Sequence, residues 1–226
     1  MTDTASQPTS QIDLPDSDIA RAAKQFVFDA SPAFIAHHSL RSYLFGRELA
    51  ATKGLRSGVD YDDELVFLSC ILHDLGATEF ANGDQRFEVD GADTAARFLR
   101  EHGVDEARVI TVWQAIALHT SIGLAHRFGP VQAIAQLGIG ADIAGNDRHM
   151  LPTDFADRVH ALWPRHNLGY ALAEVIAAQV EANPIKGPPM TFPHHLHQLI
   201  YRITPPITWF DVVSAAGWDD QPSVVD

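Results

Sequence analysis

The stretch that most constrains the fold is LVFLSCILHDLG, residues 65–76. It is apolar on nearly every side, so a helix made from it belongs at the centre of the molecule. The acidic residues between Asp60 and Glu64 give that helix a first turn favoured by its dipole. Into this apolar run the sequence sets His73 and Asp74. A carboxylate taken out of water alone costs several kcal/mol, so a compensating charge must lie beside it. A divalent cation does this, taking Asp oxygen and His nitrogen as ligands. Adjacent helical residues point about 100° apart, so both reach one ion only near a helix end, and Gly76 is the expected terminator. By itself the dipeptide fits a core histidine beside a salt-bridged aspartate at least as well.

The rest of the chain reads as helix. Of 226 residues, 46% are hydrophobic, enough for one well-filled domain. Residues 1–14 are polar and expected to form a disordered tail, leaving a domain over 15–226 with its core at 31–182 and a C-terminal helical extension. Asp16–Asp18 caps a first helix, and Ser31–Pro32 reads as the N-cap and first residue of a second that carries His38. Apolar spacings of three and four predict further helices over 89–101, 105–119, 131–144, 153–162 and 168–181. Two short ones follow over 194–202 and 208–216. Alternating strand patterns are scarce, so the expected class is all-α.

Charge narrows the function. Sixteen Lys and Arg against 29 Asp and Glu give a net charge of −13, which disfavours nucleic acid as a partner because that binding rests on neutralising phosphates. A small neutral or cationic molecule suits the field better. The single cysteine, Cys70, rules out an intramolecular disulfide and a Cys-rich zinc site. The opening MTDTASQPTSQIDLPDSD lacks the basic and apolar regions of a secretory signal, and no run approaches the roughly 18 apolar residues of a membrane helix. A cytoplasmic location with no membrane partner is the expectation; a homo-oligomer is left open.

Four segments stand out together: HHSLR at 37–41, LSCILHDLG at 68–76, AIALHT at 115–120 and GADIAGN at 140–146. His38 and Asp142 lie on separate predicted helices, each with a polar partner about a turn away, Arg41 and Asn146. A His, a His-Asp pair and a distant Asp on helices resemble the signature of the HD superfamily of metal-dependent enzymes. The runs H-S-x-R at 38–41 and I-L-H-D-L-G at 71–76, the Phe87–Glu88 pair followed by Gly91, AIALH ending at His119, and D-x-x-x-N at 142–146 are similar to motifs of cyanamide hydratases and their bacterial HD relatives.

The resemblance implies an HD-type helical bundle holding one divalent ion, zinc or iron before manganese or nickel, on His38, His73, Asp74 and Asp142. A water on such an ion ionises near pH 7. The implied activity is hydration or hydrolysis of a small polar molecule of the cyanamide or nitrile type. Asp74 would serve also as base, with Glu88 and His119 as further catalytic residues and Arg41, Thr120 and Asn146 binding substrate. Glu88 is otherwise a helix N-terminal charge, and His119 a helix C-terminal one.

Two other HD chemistries stay open. A phosphohydrolase needs Arg41, Arg86 or Arg127 to converge on a phosphate. A diiron oxygenase needs two more histidines, for which His119, His102 and His126 are the candidates. The tract His194, His195 and His197 is expected at a helix end.

Overall fold

The structure, a computed structural model, describes residues 12–203 and 205–218. Its regular elements there are helical, apart from one isolated β-bridge between Ser57 and Tyr61. The α-helices are α1 (Asp18–Ala30), α2 (Ala33–Thr52), α3 (Asp63–Leu72), α4 (Phe87–Glu101), α5 (Glu106–Leu118), α6 (Pro130–Ala144), α7 (Phe155–Leu162), α8 (Leu168–Ala182), α9 (Phe192–Ile200) and α10 (Trp209–Ala215). The class is all-α. None of these helices is long and apolar enough to cross a membrane.

Local chemistry explains the helix starts. The Ser17 side chain accepts from the Ala20 N–H and opens α1, and Asp62 accepts from the Leu65 N–H and opens α3. Thr208 and Asp211 form a reciprocal capping box on α10. The Ser31–Pro32 junction differs from expectation: Ser31 is the C-cap of α1, and Pro32, in extended conformation, is the N-cap of α2. Pro32 disfavours helical backbone at Ser31, so α1 stops before it. Of the polar N-terminal stretch, residues 1–11 lie outside the described residues. Ile12 and Leu14 already lie against the core, and the Asp13 carbonyl accepts from Arg47.

As LVFLSCILHDLG predicts, α3 is central: every residue from Leu65 to Leu72 is buried. The helix ends at Leu72, and a short 3₁₀ turn, Leu75–Ala77, follows. Gly76 is therefore not the terminator expected from the sequence. It is a contact point, where a Cβ would lie 1.9 Å from the Phe87 carbonyl oxygen and 2.7 Å from the Gly91 nitrogen. This approach seats the start of α4 against His73 and Asp74.

A second close crossing joins α2 to α6. A Cβ on Gly138 would lie 1.9 Å from the Ser42 carbonyl oxygen, and one on Gly46 2.8 Å from the Ile134 carbonyl oxygen. Positions 38, 42 and 46 form one row on α2, and 134, 138 and 142 form one row on α6, each at four-residue spacing. The glycines bring the rows together, and so bring His38 to Asp142.

Gly138→Ala tests this crossing. Helix propensity favours Ala by about 1 kcal/mol, but overpacking against backbone costs about 1–3 kcal/mol or more, so the crossing dominates. A lower urea midpoint with unchanged m-value is the expected result.

Candidate metal centre

Three side chains from two elements converge in the buried centre. His38 comes from the middle of α2; His73 and Asp74 come from the end of α3. All three are at most 1% exposed. His38 Nε2 lies 3.2 Å from His73 Nε2, and Asp74 Oδ2 lies 3.1 Å from His73 Nε2 and 3.7 Å from His38 Nε2. Among the described residues they are the one group of three or more potential ligands whose atoms crowd together in this way.

The hydrogen bonds fix which nitrogens face inward. His73 Nδ1 lies 2.8 Å from the Cys70 carbonyl oxygen, so it carries the proton and donates. His38 Nδ1 donates to Asp142 Oδ2 at 2.6 Å. With both rings neutral, as metal ligation requires, the two Nε2 atoms carry lone pairs and face each other. Neither oxygen of Asp74 has a hydrogen-bond partner. Two opposed lone pairs beside an unpartnered buried carboxylate repel one another, and one cation among them reverses every one of those interactions. The spacing agrees, because two nitrogens each about 2.0–2.1 Å from one tetrahedral ion lie roughly 3.3 Å apart. The donor set fits a divalent ion that accepts imidazole and carboxylate.

His119 caps the end of α5 beside this group. Its Nδ1 lies 2.6 Å from the Ile116 carbonyl oxygen, and its Nε2 is 3.7 Å from Asp74 Oδ1. Its ring stands edge-on to His73 and to Phe87. Burial disfavours the charged form at His38 and His119 and keeps both below the ordinary histidine value. At His73 burial acts the same way, but the Asp74 carboxylate outweighs it and raises the pKa. Burial pushes the Asp74 carboxyl up, yet the three surrounding imidazoles prevail and hold it below the usual carboxylate range.

Asp142 does not join the group. Its Oδ2 accepts from His38 Nδ1 at 2.6 Å and from Arg41 Nη2 at 2.8 Å; its Oδ1 accepts from Arg41 Nε at 2.8 Å and Arg165 Nη1 at 2.9 Å. A carboxylate offers about four lone-pair sites, and these four bonds fill them. In this structure Asp142, expected from the sequence as a fourth ligand, is bonded to His38 Nδ1 and the two arginines and stands outside the three-residue group. Burial raises its carboxyl, and the cations and imidazoles around it more than reverse that.

Arg41, expected to bind substrate, is fully buried, and its remaining amino group donates to the Trp163 and Pro164 carbonyls. Glu88 is also fully buried and accepts from Thr120 Oγ1 at 2.5 Å and Arg86 Nη2 at 2.6 Å. Neither lines the cavity over the centre, which has a volume of about 590 Å³. Thr120 and Asn146 do line it, together with His38, His73, Asp74 and His119.

The arginines that a phosphate site would need are committed elsewhere: Arg41 and Arg86 to carboxylates, with Arg127 exposed and off the cavity wall. His102 donates to the Phe98 carbonyl, and His126 is exposed; neither lines the cavity. In the C-terminal tract, His194 meets the Gly187 carbonyl, His197 meets Glu181 and His195 is exposed.

Sequence reasoning missed Arg165 and Gln136. Gln136 Nε2 reaches the carbonyls of Leu118, His119 and Ser121 and so anchors the turn that presents His119. Arg165 follows Pro164 outside any periodic segment; the one signal for it was that a buried Asp142 requires cations.

Asp142→Asn separates orientation from ligation. As an orienting residue it should lower metal affinity about 10–100-fold, measured by chelator competition on protein shown folded by far-UV circular dichroism. Asp74→Asn should abolish stoichiometric binding. Equal loss in the two variants would make Asp142 a ligand.

The HD domain family matches residues 35–162 of the chain. Two proteins of Saccharomyces cerevisiae, cyanamide hydratase DDI2 and cyanamide hydratase DDI3, are each 21% identical to it over 183 residues, covering 80% of this chain and 80% of theirs.

Proposed function

The chain belongs to the HD domain family, and from that premise we propose that it holds one divalent ion on His38, His73 and Asp74 and adds water to a small uncharged substrate bearing a cyanamide- or nitrile-type group. The family and the yeast relatives support a metal-dependent hydrolase-type function. The observation that carries the reading is the buried Asp74 carboxylate, without a hydrogen-bond partner and with the Nε2 atoms of His73 and His38 at 3.1 and 3.7 Å. Zinc, iron, manganese and nickel all accept this donor set.

When bound, such an ion polarises the acceptor and makes a water acidic enough to attack near neutral pH. The chain's own residues do the rest. Asp74 accepts the proton that the attacking water gives up. His119, 3.7 Å from Asp74 Oδ1, is neutral under burial and relays that proton to the substrate nitrogen. Thr120 spends its hydroxyl hydrogen on Glu88 and accepts from Arg86 at 3.4 Å, which leaves one lone pair of this cavity-lining residue for a substrate N–H. Water adds across the C≡N bond, with oxygen on carbon and hydrogen on nitrogen, and tautomerisation gives an amide, or a urea from a cyanamide. The cavity lining contains no lysine or arginine, which favours this reading over phosphoester hydrolysis.

Elemental analysis with a hydration assay tests the proposal. About one ion per chain and urea from cyanamide, or amide from small nitriles, is the expected result. His73→Ala should lose the ion and at least about 10²-fold in turnover. Retained metal in that variant, or turnover of phosphomonoesters without hydration, would contradict it.

A further inference from the structure

The cavity over the centre is much larger than the reaction needs. Cyanamide has three non-hydrogen atoms; even at the roughly 30 Å³ of a whole water molecule for each it fills no more than about 90 Å³, against about 590 Å³ available. Cavities that serve a small molecule are shaped to cover most of its surface, so the unused space and its chemistry report on the rest of the substrate.

That chemistry is apolar. Leu137, Ile139 and Ile143 come from α6, Leu172 from α8, Phe192 from the start of α9 and Ile122 from the loop after α5. The room between them is made by small residues at positions 133, 140 and 144 of α6, about two and three turns apart on one face. Ile122 is 95% exposed and Phe192 41% exposed, so both offer apolar surface at the mouth that a bound molecule would cover. The nearest rim charge, Asp147, is paired with Lys53 at 3.0 Å, leaving the entrance close to neutral. The ionisable groups other than Asp147 sit around Asp74, with His38, His73 and His119; Gln136 and Asn146 add neutral polar groups to the wall.

We propose that the substrate is a two-part molecule: a compact polar head at Asp74 and an uncharged hydrocarbon tail of several carbons lying along α6. The identity of the head rests on the hydration reading; the tail rests on the cavity alone.

A homologous series separates the two. The metal-loaded protein is titrated with acetohydroxamate, butyrohydroxamate, hexanohydroxamate and octanohydroxamate, whose head groups chelate a metal whatever reaction it serves. Nitriles of the same chain lengths are assayed for amide formation. Affinity should rise up to about fourfold per methylene, the equivalent of about 0.8 kcal/mol for each buried CH₂, until the tail reaches the mouth. In Ile143→Trp, a change at a 40% exposed position of α6, the rise should stop at a shorter chain. Hydroxamate affinity that grows with length while no nitrile turns over would retire the hydration reading and support the tail site. Affinity that is flat or falling from acetohydroxamate upward would overturn the tail site, even with cyanamide hydrated.

Discussion

A carboxylate buried without a hydrogen-bond partner is the constraint around which this molecule is arranged. Asp74 is 1% exposed and both its oxygens are unpartnered. An ion in that state costs several kcal/mol unless a charge balances it. The surrounding imidazoles relieve only part of the cost, because burial keeps His38 and His119 neutral. A divalent cation would complete the balance, and His38 and His73 bring their Nε2 atoms to within 3.7 Å of Asp74 Oδ2.

The scaffold makes that convergence cheap in geometry and demanding in packing. Two glycine contacts, Gly138 of α6 against α2 and Gly76 of the turn after α3 against α4, let backbones approach more closely than any side chain allows. One brings His38 beside Asp142; the other presses Phe87 against the turn that carries Asp74. Behind the ligands lies a layer of opposite charge, with Arg41 and Arg165 on Asp142 and Arg86 on Glu88. These arginines are consumed in holding carboxylates, which keeps the cavity wall free of cationic side chains and suits an uncharged substrate.

Much of this was legible in the chain. The apolar run around His73–Asp74 indicated a central helix and a need for a compensating charge, and helical spacing elsewhere indicated an all-α bundle. What the sequence could not disclose was how each polar group spends its hydrogen bonds. Nothing local shows that Asp142 bonds Arg41, 101 positions away, and Arg165, in a loop. Glu88 reads as either a catalytic residue or a helix N-terminal charge, and its bond from Thr120, 32 positions away, is invisible locally. Gly76 reads as a helix stop, and only the approach of α4 shows it to be a contact point. Long-range pairing decides each of these cases, and local pattern carries no trace of it.

Anomalous diffraction from crystals of the metal-loaded protein tests the central claim most directly. One peak should lie within about 2.0–2.3 Å of His38 Nε2, His73 Nε2 and an Asp74 oxygen, with Asp142 still bonded to Arg41. A peak coordinated by Asp142, or a full complement of ion bound anywhere else, would contradict the account.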